Sequence, residues 1–202
     1  MIVHAPNVHQ GGGKVLLVEL MRVAAQENTV STFIVDQRLE VPEELLSRLQ
    51  LVRVAPRILA RIAAEFKLRR VVQQRLVENQ PQAVLCFGNL PPLLDLRCKS
   101  GRKRGGSDAK GSRQKVHLFF QNVILLKKFS GFPFALKTRL QQKVERRWLR
   151  WGLRHVDRVW VQSELVRDLF LAEHCGHSSC GLEVGVAPFV GLSGLIDEAS
   201  NR

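Results

Sequence analysis

The chain has 202 residues, with 31 Lys and Arg against 18 Asp and Glu, giving a net charge of +13 at pH 7. That length fills one domain with at most a small appendage, its 45% hydrophobic content suits an ordinary globular core, and its charge favours a polyanionic partner: nucleic acid, an anionic membrane face or phosphorylated substrates. Four cysteines at uneven spacing exclude a disulfide framework and fit a reduced, cytosolic setting, and no apolar run reaches the roughly 18 residues of a membrane span.

The first strand is expected to end at His4 or Ala5, followed by a loop, Pro6-Asn7-Val8-His9-Gln10, that closes on Gly11, Gly12 and Gly13. A helical pattern follows over residues 15–25, with apolar residues at Val15, Leu16, Val18, Leu20, Met21, Val23 and Ala24. Strand, glycine loop and helix in that order place a helix N-terminus, with its unpaired N–H groups and partial positive charge, at the carboxyl edge of a sheet. Three residues without side chains let an anionic or sugar ligand approach the backbone, and the same residues also serve plain turn chemistry. G-G-G is not the G-x-G-x-x-G of a dinucleotide fold.

Residues 31–35 (S-T-F-I-V) read as a second strand ending at Asp36, Pro42-Glu43-Glu44 opens a short helix, and residues 51–54 form a third strand. Pro56 begins a longer helix to about Asn79, with Ile58, Leu59, Ile62, Phe66, Leu68, Val72 and Leu76 expected mostly on one side. A buried strand at residues 83–87 (A-V-L-C-F) stops at Gly88-Asn89 and the Pro91-Pro92 pair. Residues 97–115, rich in Lys, Arg, Gly and Ser, read as a flexible basic surface loop. Strands at 116–120 and 157–162 follow, separated by a basic helix over 134–155; Ser163-Glu164 caps a helix to about Ala172, and residues 183–188 form a last strand.

Strands alternating with helices predict an α/β fold: a parallel, Rossmann-like sheet with helices on both faces. Ligands of such sheets collect outside the carboxyl ends of the strands. Asn7 to Gly13, Asp36, Gly88-Asn89, Gln121-Asn122 and Gln162 to Glu164 all fall on that edge.

The N-x-x-x-G-G-G turn, the F-F-Q-N strand end, the basic helix and V-W-V-Q-S-E-L-V-R-D together resemble the N-terminal half of a family-four, retaining glycosyltransferase of the GT-B fold. The resemblance runs over residues 1–190 as a single acceptor-side domain, with 191–202 a tail or the start of an interdomain linker. It implies a nucleotide-sugar donor, no other cofactor, and a lipid-linked or glycan acceptor. Gly11, Gly12 and Gly13 would approach the donor phosphates or sugar, while Asn7, His9, Gln121, Asn122 and Ser163 would line the cleft. Many members carry a histidine where this chain has Gln121-Asn122. Such an enzyme also has a second domain with a paired-glutamate motif. Only 14 residues follow Pro188, so the expectation is a truncated product, or one half whose donor domain is a separate polypeptide, inactive alone.

The basic helix carries Leu136, Leu140, Val144, Trp148 and Trp151 at helical spacing among Lys137, Arg139, Lys143, Arg146, Arg147, Arg150 and Arg154. This pattern serves core packing with a solvated basic face. It also suits an interfacial helix on anionic lipid, with Lys127, Lys128, Arg147, Trp148 and Trp151 facing the membrane and the protein peripheral on the cytoplasmic, inner face. His174-Cys175 with His177 and Cys180 has metal-ligand residue types, but adjacent residues reach one tetrahedral ion poorly and no metal is expected. The alternatives are a basic membrane- or nucleic-acid-binding module without catalysis, and an NAD-dependent oxidoreductase with Asp36 as its ribose acid.

Overall fold

A computed structural model describes residues 1–27, 31–56, 58–77, 83–96, 114–126, 135–174 and 181–187. Seven strands make one parallel sheet: β1 (Ile2–Ala5), β2 (Thr32–Asp36), β3 (Gln50–Val54), β4 (Val84–Phe87), β5 (Val116–Phe120), β6 (Arg158–Val161) and β7 (Glu183–Val186). Their spatial order is β3-β2-β1-β4-β5-β6-β7. The strands β1, β2, β4 and β5 are buried at every position, which is why they read as continuous apolar runs rather than alternating ones.

Register sorts the side chains between two layers. Val3 pairs with Phe33 and Leu85, and these residues face α1 (Gly11–Gln26) and α2 (Glu43–Leu46) with Ala5, Val35, Phe87 and Phe119. Ile2 pairs with Thr32 and Val84, and the opposite layer sets Ile2, Ile34, Val84, Cys86, Leu118, Phe120 and Val161 against α3 (Ile58–Val77), α4 (Leu136–Gly152) and α5 (Glu164–His174). Phe170 of α5 meets Phe120 edge to face, with ring centroids 5.1 Å apart.

The chain runs outward from β1 to β3 with its helices on one face, then returns through α3 on the other face to β4, beside β1. Right-handed crossovers require that change of face when the direction of travel reverses. The reversal falls between β1 and β4, whose carboxyl tips are the place where a doubly wound sheet opens toward a ligand.

Three expectations change. The glycines are not a loop ahead of the helix, because α1 begins at Gly11 and they form its first turn. Gly11, at φ +67°, makes the bend that lets the helix start so close to the strand. In α3, Ile62 and Phe66 are exposed, at 42% and 54%, while the buried stripe is Ala64, Glu65, Leu68 and Val72. The basic helix is shorter than expected, α4 giving way to a 3-10 turn at Leu153–His155; among its apolar residues Leu149 is fully buried and Leu136, Leu140 and Val144 are exposed. Most of the 97–115 loop, Lys127 and Lys128, Cys175 to Cys180, and the tail from residue 188 lie outside the described residues.

Candidate functional site

The carboxyl edge is assembled from three adjacent strand tips. Beyond β1, Asn7 Nδ2 donates to the Gly88 carbonyl at 3.0 Å, clipping the β1 and β4 tips together. Gly88 has φ +122°, and a Cβ there would lie 2.7 Å from Val8 Cγ2 and 2.8 Å from Asn7 Oδ1, so the switch point is closed by these side chains. Asn89 follows in the left-handed region at φ +76°. Its Oδ1 accepts from the backbone N–H groups of Gln121 at 2.6 Å and Asn122 at 2.7 Å, tying the β5 tip to the β4 tip. Asn122 Oδ1 in turn accepts from Ile124 N at 3.1 Å and starts a 3-10 turn, Val123–Leu125.

The α1 N-terminus stands over this frame. A Cβ at Gly11 or Gly12 would meet nothing within 4 Å, whereas one at Gly13 would lie 3.3 Å from both Gln121 Oε1 and Val8 Cγ1. Gln10, the residue before the helix, makes no side-chain cap, and the first turn holds no acid. The leading N–H groups therefore keep their partial positive charge with no carboxylate in that turn to answer it. Gln121 Nε2 is buried with no hydrogen-bond partner.

Beside the glycines lies an ion pair whose basic member, Arg38, is not among the residues the sequence points to. The Asp36 side chain, 1% exposed, accepts from Arg38 N at 2.9 Å, Nε at 2.9 Å and Nη2 at 2.7 Å. Burial pushes the Asp36 pKa upward, but the Arg38 hydrogen bonds and charge outweigh it and hold the carboxyl below its ordinary value. Arg38 Nη2 also lies 3.3 Å from His9 Nδ1. Arginine cannot accept, so in neutral His9 Nδ1 is the acceptor and the ring proton sits on Nε2. Asp36, expected as the ribose acid of an oxidoreductase, has both carboxylate oxygens hydrogen-bonded to Arg38. Lys14 is drawn to Glu40, at 2.5 Å.

Ser163 stands exposed at the β6 tip, where its Oγ accepts from Val166 N at 3.4 Å as the cap of α5. Of the residues expected to face a membrane, Arg147 and Trp151 are exposed. Trp148 does not belong with them: its Nε1 donates to the Pro91 carbonyl at 2.8 Å and its side chain lines an internal cavity.

That cavity, of about 10 Å³, is also lined by His4, Pro6, Asn7, Glu65, Leu90 and Pro91. It has room for about one water molecule. His4 is 4% exposed, neither ring nitrogen has a hydrogen-bond partner, and Nε2 lies 3.9 Å from Glu65 Oε1. Burial lowers the His4 pKa to about 4. Burial likewise raises Glu65 to about 7, against the opposing hydrogen bonds from the Leu93 and Leu94 N–H groups. Cys86, the register partner of His4, is buried, and burial and then the Glu65 charge push its thiol pKa upward. Among the described residues no group of three His, Cys, Asp or Glu side chains could hold a metal ion.

No protein-family model matches the chain. No curated protein matches it. Among solved structures, 23 chains match. One is the apo form of the lipopolysaccharide outer core galactosyltransferase WaaB, 13% identical, with a TM-score of 0.43 over 91% of this chain. The chain spans 44% of the length of that structure.

Proposed function

We propose that the chain is the acceptor-side half of a retaining GT-B glycosyltransferase, which moves a sugar from a nucleotide-sugar to a lipid-linked or glycan acceptor. The observation that carries this reading is the α1 N-terminus at the carboxyl edge, where Gly11 and Gly12 face open space and Gln10 makes no side-chain cap. An N-terminus of this kind favours negative charge, and the absent side chains allow a diphosphate or a sugar to approach the N–H groups. In this role those groups stabilise the charge that develops on the departing nucleotide diphosphate, and they do so without reorganising during the reaction. The charge of Arg38, which reaches His9 just ahead of the glycines, is balanced by Asp36, so the pair positions His9 there without adding net charge.

Asn89 and Asn122 are positioning residues in this scheme. They fix the β4 and β5 tips on which Gln121 is presented to Gly13. The nucleotide itself belongs to a second, facing domain, as the motif resemblance implies, supplied by the same or another polypeptide.

Glycine amides resolve well in a nitrogen–proton correlation spectrum, and titration with a nucleoside-diphosphate sugar tests the reading directly. The amides of residues 11–13 should shift together. Two variants separate function from folding. Gly12→Ala places a Cβ in open space, and Gly12→Asp puts an acid where it favours the helix by about 0.3–1 kcal/mol. Both should fold, and Gly12→Asp should abolish the shifts. Shifts confined to other residues, or unaltered in Gly12→Asp, would end the proposal.

A further inference from the structure

Helix α4 is an outlying element whose first turns are uncovered. Leu136 is 85% exposed, Leu140 65%, Val144 57% and Trp151 48%. At 100° per residue these four fall within roughly an 80° arc, forming one apolar ridge along the helix. Arg147, also exposed, sits within that arc. Exposed Arg139, Lys143 and Arg150 recur at i, i+4 and i+11 along one flank of the ridge. Arg154 lies over the Trp151 ring, 3.9 Å from its centroid. The helix's one acid, Glu145, is on the far side and accepts from Gln141 Nε2 at 2.9 Å.

The inner side of the helix is held independently of this ridge. Leu149 is fully buried, Trp148 donates to Pro91, and Arg146 Nη2 donates to the Ile124 carbonyl at 2.9 Å. Lys143, Arg146, Arg147, Arg150 and Trp151 surround an open hollow of about 610 Å³.

We infer that this face of α4 docks on an anionic lipid bilayer, with the apolar ridge entering the headgroup boundary and the flanking cations resting on lipid phosphates. Two features choose this occupant. Uncovered Leu and Val side chains along the first turns of a helix need an apolar partner, which a nucleic acid backbone does not provide. The cationic flank needs dense negative charge at a fixed distance from that apolar phase, and an anionic leaflet supplies it. The inference goes beyond the sugar-transfer reading and does not depend on it. Trp148 and Gly152 seat the C-terminal half of the helix on Pro91, just past the β4 tip, so the docked face borders the carboxyl edge of the sheet.

Co-sedimentation of the full chain with phosphatidylcholine vesicles, with and without phosphatidylglycerol, tests this, alongside a random-sequence DNA duplex. Binding should require the anionic lipid and weaken with salt. Arg139→Gln with Lys143→Gln should reduce vesicle affinity roughly fivefold per cation. Leu140→Gln with Val144→Gln changes only exposed positions and should reduce it by about tenfold. Trp emission should shift to the blue on vesicle binding, and the Trp151→Phe protein should lose most of that shift. No sedimentation with anionic vesicles overturns the inference. So does full vesicle binding by the Leu140/Val144 variant, or DNA binding as tight as vesicle binding, because either means the cations act alone.

Discussion

Gly13 faces the carboxamide of Gln121 across the mouth of the sheet, and a Cβ on the glycine would lie 3.3 Å from Gln121 Oε1. The three consecutive glycines thus answer three different demands: Gly11 a left-handed bend, Gly12 open space, Gly13 close packing. At Gly13 the Val8 methyl is equally near, so the site is crowded from two sides. Gly13→Ala should be close to neutral, the helix-propensity gain of about 1 kcal/mol offsetting a small displacement of the Gln121 tip. Gly13→Val should lose about 1–3 kcal/mol through overpacking, read as a lowered denaturation midpoint at constant slope.

Asn89 combines a left-handed backbone with two accepted hydrogen bonds, and three substitutions separate these contributions. Asn89→Asp keeps the acceptor and should be tolerated. Asn89→Gly keeps the backbone conformation and loses the acceptor. Asn89→Ala loses both and should be the least stable, below the glycine variant by about 1 kcal/mol on account of φ +76°. Urea titrations of the three proteins give the ranking, and equal stability of Gly and Ala variants would contradict the assigned strain.

Gly152 lets the end of α4 lie on a proline ring. A Cβ there would be 2.5 Å from Pro91 Cγ and 3.2 Å from the Pro92 carbonyl oxygen. Neither a ring nor backbone gives way as a flexible side-chain tip does, so Gly152→Ala should destabilise by about 1–3 kcal/mol. Thermal unfolding of the purified variant provides the measurement.

Burial shifts the pKa values of His4 and Glu65 in opposite directions, each toward its neutral form. The folded histidine, at about 4 against 6.5, is neutral where the unfolded one is charged. The folded glutamate, at about 7 against 4.5, is neutral where the unfolded one is ionised. Stability from His4 falls as pH drops from 6.5 through 4, and stability from Glu65 falls as pH rises from 4.5 through 7. Between 4.5 and 6.5 the two slopes oppose and cancel. Glu65→Gln, shaped like the protonated acid, should remove an alkaline loss of about 3 kcal/mol. Urea unfolding of the two proteins at pH 5.5 and 8.5, as reference conditions of about those values, should show the difference growing in the variant's favour at the higher pH.

Much of the architecture was legible because the buried strands are unambiguous. V-L-C-F and V-H-L-F-F lack the polar alternation of a half-solvated strand and lie between glycine, proline or asparagine stops. The helical layer was read less well. In α3 apolar residues occur around much of the circumference, so periodicity favoured Phe66 as inward, whereas Glu65 is the buried neighbour. Its burial depends on His4 from β1 and the backbone at Leu93, neither of which is local. The glycine run was visible, but three poor helix formers read as loop, and only the packed strand tip beneath them starts the helix at Gly11. Arg38 was missed because its geometry depends on the burial of Asp36. The D-x-R spacing was the one available signal.

The strand order sets a problem for a chain emerging from the ribosome. β1 is made before the other six strands yet lies inside the sheet beside the central β4, and β4 pairs His4 with Cys86 only after the helix α3 has been synthesised. Until then β1, buried at every position in the folded sheet, has one edge paired with β2 and the other unsatisfied. Nascent chains stalled before Val84 should therefore recruit chaperones or aggregate, and those extended past Phe87 should be released from that hazard.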